Sequence, residues 1–216
     1  MIETIEFSAV VASSIFGVLL AARKEMDAVG IITVALAVAF GGGTLRDLFL
    51  DRTPLFWIAN QHYTVIVFTI ALAGSLFPRA LIRLERYLAI PDALGMGLFA
   101  VVGASYSLDA GTSFFLAAIL GTVTGTFGSV IGDVLCNEIP SLFRPAPLCA
   151  TCAFTGAWLY LLCRAIGVDG DLALMAGVAA TAAFRLAALR WNIHLPSTAE
   201  RIKASEPKID ETGKNG

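Results

Sequence analysis

The sequence predicts an all-α integral membrane protein with seven transmembrane helices, built as two inverted three-helix repeats followed by a seventh helix. Three observations predict it. Of the 216 residues, 57% are hydrophobic and only 15% charged, with mean hydropathy +0.78, against roughly 25% charged residues in soluble domains. Seven stretches approach the length of about 20 apolar residues that a helix needs to span a bilayer. The chain also matches itself at a shift of 86 residues.

The spans follow in order. The first, residues 6–22, begins with Glu3 and Glu6 rather than a basic region and has no cleavage site after it, so it is expected to stay as a helix rather than leave as a signal peptide. The second, 28–50, runs from the very apolar Ile31 to Phe40 into Gly41-Gly42-Gly43-Thr44-Leu45-Arg46-Asp47. The others are 61–77, 91–108, 113–136, 147–166 and 171–189. Residues 1–192 therefore read as one transmembrane domain, with repeat 1 at about 5–80, repeat 2 at about 91–166 and the seventh helix at about 171–190. Residues 193–216 are expected to be a polar, disordered cytoplasmic tail. The links between spans are too short for a soluble domain.

At the shift of 86, Gly42 aligns with Gly128, Asp47 with Asp133, Asp51 with Asn137, Pro54 with Pro140 and Trp57 with Phe143. A unit of three helices is odd, so the second copy enters the membrane in the opposite sense. That is the inverted-repeat plan with a pseudo-two-fold axis in the membrane plane. Net charge is −2, which gives no reason to expect a nucleic-acid partner, but the placement of basic residues is informative. One side collects Arg23, Lys24, Arg79, Arg83, Arg86, Arg144, Arg190 and the tail's Arg201, Lys203, Lys208 and Lys214, while the other has Arg52 and Arg164. This puts the N-terminus outside and the C-terminus in the cytoplasm.

Each glycine costs a helix about 1 kcal/mol relative to alanine. Three in succession are therefore expected to let the second helix bend or unwind near its middle, facing a polar or water-filled interior rather than lipid. Arg46 and Asp47 are costly at membrane depth and must be solvated or paired. They point about 100° apart around the helix, so they are expected to be poor partners for each other, with Arg46 reaching a carbonyl or an acid on another helix. The alternative is a static buried ion pair, with the glycines serving only tight packing.

The fifth span carries a polar stripe, Thr122, Thr126, Ser129, Asp133 and Asn137, at helical spacing. Beside it runs a smooth stripe of Gly121, Gly125, Gly128 and Gly132, which lets a neighbouring helix approach closely. Cys149 and Cys152 have the spacing of a redox or metal pair, but no His or acid close in sequence completes a site, and they read as packing residues.

The "GGGTLRD" motif, the proline after each glycine-bearing helix, the tandem three-helix units and the seventh span together resemble the prokaryotic branch of the trimeric intracellular cation (TRIC) channel family, also known as glycine-transporter-type membrane domains. The resemblance extends to about Asn192. It implies a homotrimer in the prokaryotic inner membrane, with one pore in each subunit lined by the second and fifth helices and passing monovalent cations, potassium above sodium, with no cofactor. Its roles fall on Gly41, Gly42, Gly43 and Asp47, and on Gly128 and Asp133; Gly132 stands where the first repeat has Arg46. With Thr44, Thr126 and Ser129 these are the expected pore and ion-binding residues. Arg46, Arg79, Arg83 and Arg86 are gating candidates, the last three serving by default as topology signals and otherwise as contacts for anionic lipid headgroups. Two other readings start from the same residues. An aspartyl protease needs its carboxylates about 3 Å apart, whereas the inverted plan separates Asp47 and Asp133 by about 15 Å in depth. A secondary transporter of glycine or another small solute would use the same repeat and the same midplane.

Overall fold

The computed structural model describes residues 1–77, 83–84, 87–144 and 146–194. Arg79, Arg86 and nearly all of the predicted tail lie outside the described residues, and Arg83 is exposed. Among the described residues the protein is helical, with one isolated bridge between Pro147 and His194. Seven long helices follow one another: α1 (Ile2–Ala22), α2 (Ala28–Phe49), α3 (Gln61–Leu76), α4 (Ala89–Asp109), α5 (Phe114–Leu135), α6 (Ala150–Ala165) and α7 (Gly170–Arg190). A one-turn helix, Phe56–Ala59, follows α2, and a 3-10 turn, Ser141–Phe143, follows α5. Helices α1, α2, α4, α5 and α7 are long and apolar enough to cross a membrane. The 16-residue α3 and α6 reach about 24 Å at 1.5 Å per residue.

The helix ends show why the chain stops and turns where it does, and they recur. Asp27 caps α2 by accepting the Gly30 N–H at 2.8 Å, and 86 residues later Ser113 caps α5 by accepting that of Leu116 at 3.3 Å. Each cap satisfies an N–H that the first helical turn leaves without a partner. Glu25 (φ 54°) and Gly111 (φ 80°) take the left-handed turn before those caps. Asp51 (φ 50°) and Asn137 (φ 56°) take it after α2 and α5, a conformation that short polar side chains and glycine tolerate best.

Packing repeats as well. α1 lies on α2 as α4 lies on α5, and α3 touches α1 and α2 as α6 touches α4 and α5. The halves meet where α2 and α5 cross. A methyl group on Gly42 would run into the carbonyl oxygen of Thr124, and one on Gly128 into that of Val38. Since Gly42 and Gly128, and Val38 and Thr124, are each 86 residues apart, exchanging the halves maps one contact onto the other. Moving back along α2 from Gly42 to Val38 advances along α5 from Thr124 to Gly128, so the two helices cross antiparallel. Gly121 and Gly125 face the carbonyls of Ala100 and Met96 on α4, which completes the smooth stripe. α7 has no counterpart, and its main contacts are with α4 and α6.

This packing corrects the expected unwinding. α2 and α5 are α-helical without interruption through their glycines. The propensity cost is offset by backbone approach: a helix without Cβ atoms at the crossing gains dispersion contacts that lipid tails cannot match. Gly42→Ala and Gly128→Ala are each expected to destabilise the protein by about 3 kcal/mol, the upper end of ordinary overpacking penalties. Val65→Ala, on the exposed side of α3, is expected to stay within about 0.5 kcal/mol of the parent. Unfolding titrations in detergent micelles measure both.

Candidate functional site

Two polar features occupy opposite ends of the helix bundle. At one end, a cavity of about 690 Å³ opens between the C-terminal ends of α1, α5 and α7 and the N-terminal end of α4, with Arg23, Asp92, Ser129, Asp133, Arg144 and Arg185 in its wall. Its inner end continues into a neck of about 10 Å³ between Ser13, Phe16, Val38, Thr124 and Gly128, at the glycine crossing. That volume is at the lower limit for one water molecule. Phe16, Asp92 and Ser129 belong to both spaces.

At the other end, the first turns of α1 and the last turns of α2 and α4 enclose a charged cluster. Glu6, Arg46 and Asp47 are 2%, 0% and 1% exposed. Arg46 donates from Nη1 to Glu6 Oε1 at 2.9 Å and from Nε to Asp47 Oδ1 at 2.9 Å, and Nη2 lies 2.8 Å from the same Asp47 oxygen. The guanidinium stands 5.2 Å from the Phe56 ring centroid and 4.5 Å from that of Tyr106, on which Arg52 also rests at 3.8 Å. Flat aromatic faces around a desolvated cation add attraction and exclude water.

Arg46 thus reaches an acid on another helix, as expected, but it also pairs with its own neighbour, which corrects the expectation that the two would be poor partners. The separation of about 100° around the axis describes where the side chains leave the backbone. A guanidinium carried on four bonds bends back across that gap. Asp47 is held from its other side too, where Oδ2 accepts the Phe56 N–H at 2.7 Å and anchors the one-turn helix. Asp133 does the same for the 3-10 turn, accepting the Ser141 N–H at 3.0 Å. Among the described residues it pairs with no cation.

The remaining expected residues divide by location. Gly41 packs on Ile131 and Gly43 on the Phe56 ring, and Thr44 accepts the Trp57 Nε1–H at 3.1 Å. The polar stripe of α5 is not uniformly wet. Ser129 and Asp133 face the cavity, whereas Thr126 is buried and donates to the Thr122 carbonyl at 2.7 Å. Cys149 and Cys152 are buried free thiols, with Cys149 Sγ 3.7 Å from Met96 Sδ.

Sequence reasoning missed Glu6, Asp92, Thr124 and Arg185. A signal for the first two was present, because Glu6 and Asp92 are themselves 86 residues apart. Arg185 was findable as a cation within the apolar run of α7, since an ionisable residue at membrane depth reads as functional by default.

At the rim of the cavity, Glu138 pairs with Lys24 and lies 3.9 Å from Arg144, tying the α1–α2 turn to the segment after α5. The hydrogen bond from Lys24, and then its charge, hold the Glu138 carboxyl below its ordinary value of 4.5. The tie is therefore fully present above that value and lost as pH falls through the lowered one.

Comparison with known proteins bears on the whole chain. The family model described as "Glycine transporter" matches residues 3–79 and again 89–165, an offset equal to the internal repeat. A UPF0126 membrane protein of Vibrio cholerae is 38% identical over 187 residues, covering 86% of this chain and 78% of that protein. The UPF0126 inner membrane protein YadS of Escherichia coli K12 is 32% identical over 202 residues, 93% of each. The crystal structure of a TRIC trimeric intracellular cation channel orthologue from Rhodobacter sphaeroides superimposes with a TM-score of 0.83 at 34% identity, over 89% of this chain and 98% of that one.

Removing one partner of a buried ion pair costs about 3–5 kcal/mol, because the other charge is left stranded. Arg46→Met is expected to show that loss in unfolding titrations, and adding Glu6→Gln and Asp47→Asn is expected to recover most of it. Carboxyl-resolved NMR titration is expected to find the Glu138 midpoint below 4.5 in the parent and returned toward that value in Lys24→Gln.

Proposed function

Because this chain belongs to the Glycine transporter family, and within it to the prokaryotic TRIC channels, we propose that it is a monovalent-cation channel with one pore inside each subunit of a homotrimer in the inner membrane. Seven spans form it, the first six as inverted repeats. The antiparallel, exchangeable contacts of α2 and α5 support that arrangement. The basic residues Arg23, Lys24, Arg144 and Arg190 gather at the cavity end, which the excess of positive charge assigns to the cytoplasm, leaving the N-terminus outside.

One observation carries the reading: an open cavity, bearing Asp92 and Asp133 beside three arginines, leads, inside a single chain, to a neck at the glycine crossing, with a sealed ionic cluster at the far end. A cation arriving from the cytoplasm passes Arg23 and Arg144 in the cavity wall and meets Asp133. It then passes Ser129 and the helix backbone at Gly128, whose oxygens replace part of its water shell, as in other filters. Potassium, which sheds water more readily than sodium, is the preferred ion. The state described here is closed twice, at the neck and at Arg46. Conduction requires α2 and α5 to part at Gly42 and Gly128 and the Arg46 guanidinium to leave the axis.

Asp47 and Asp133 stand at opposite ends in separate hydrogen-bond sets, which is not the arrangement of a proton-sharing dyad. The deciding experiment is purified protein in planar bilayers. Unitary currents that reverse with the potassium gradient are expected, and glycine counterflow without unitary steps would overturn the reading. Asp133→Asn is expected to reduce the unitary current at low salt by about tenfold, the lower end of the counter-ion enrichment a charged cleft provides, and to do so less at high salt.

A further inference from the structure

The two halves carry the same acids but not the same base. Glu6 on α1 and Asp92 on α4 are 86 residues apart, as are Asp47 and Asp133. Arg46 answers both acids of the first half, while Gly132 occupies its place in the second. The base that meets Asp92 comes from α7 instead. Arg185 Nε and Nη2 donate to Asp92 Oδ2 at 3.1 and 3.0 Å, and Nη1 donates to the carbonyls of Pro147 and Leu148, both at 2.8 Å. Arg185 is 6% exposed. Because α7 leans on α4 and α6, it serves the second half alone.

The substitution is not equivalent. In the first half, Arg46 binds both carboxylates and lies within the seal. In the second, Arg185 reaches Asp92 and leaves Asp133 without a cation among the described residues. Asp92 lines both the cavity and the neck, whereas Arg185 lines the cavity. The pair therefore stands where the wide space becomes narrow, and a narrow polar passage between low-dielectric walls focuses the field of any charge placed there.

We propose that Arg185 of the seventh helix is the specificity-determining residue of the neck: by neutralising Asp92 it sets how strongly the path favours cations over anions, with Asp133, Arg23 and Arg144 as the other charges of the cavity wall. This rests on the channel reading above. Removing the arginine hands the Asp92 charge to the neck, and removing the aspartate hands the arginine's charge to it, so the two changes act in opposite directions. An ion pair that only holds α7 in place has no such sign.

The test is the potassium-to-chloride permeability ratio, from reversal potentials under a KCl gradient, with thermal unfolding as the control for folding. Arg185→Gln is expected to raise the ratio about tenfold and Asp92→Asn to lower it about tenfold, the scale of counter-ion enrichment in a charged cleft. The double variant Asp92→Asn/Arg185→Gln, and Arg185→Lys, are expected to keep the parental ratio. Conducting single variants that shift the same way, or not at all, overturn the proposal. If either single variant does not fold, the double variant and Arg185→Lys decide, and a non-parental ratio in either overturns it. A parent without unitary currents removes the channel reading and this inference with it; a conducting parent with failed signs removes this inference alone.

Discussion

The constraint on which the structure depends is the direct contact of two helix backbones at Gly42 and Gly128. No side chain intervenes there, so the distance between α2 and α5, and hence between the halves of the protein, is fixed by carbonyl oxygens of Thr124 and Val38. Everything polar is placed relative to that crossing. The cavity ends at it, the neck lies in it, and the Arg46 cluster is carried on the last turn of α2 beyond it. A bilayer offers little hydrophobic gain for helix association, so van der Waals contact of this kind has to hold the halves together.

The charged clusters serve a different purpose. A buried ion pair roughly breaks even against well-packed apolar groups, so Glu6, Arg46 and Asp47 are a poor way to gain stability. They are a good way to fill a polar route with groups that satisfy one another. Asp47 illustrates the economy of the design, because one carboxylate holds the guanidinium with one oxygen and the one-turn helix after α2 with the other. Moving Arg46 therefore disturbs the chain that follows the helix as well as the seal itself.

Much of this was legible in the sequence. Helix ends came out within a few residues of the predicted spans, because length, apolarity and capping residues such as Asp27 and Ser113 decide them locally. The internal shift of 86 residues paired Asp51 with Asn137, and both take a left-handed turn after their helices, whereas helical spacing had set Asn137 in the polar stripe of α5, which ends at Leu135. The three glycines of α2, unlike the stripe of α5, were misread for a physical reason. A propensity scale counts what a glycine costs its own helix and is blind to what it admits from another, so a packing surface looked like a break. The Arg46–Asp47 pairing was hidden because a helical projection treats a side chain as a direction and ignores its reach. Arg185 and Asp92, 93 residues apart, meet only once α7 has docked, and no local pattern specifies that docking.

The seventh helix has one more consequence. Two like halves related by exchange would present the same face to either side of the membrane, and nothing in such an object distinguishes forward from backward. By attaching to one half, α7 gives the molecule a polarity that its duplicated backbone lacks: its Arg185 stands in the wall of the broad cavity at one end, and none of its residues enters the aromatic-walled cluster at the other.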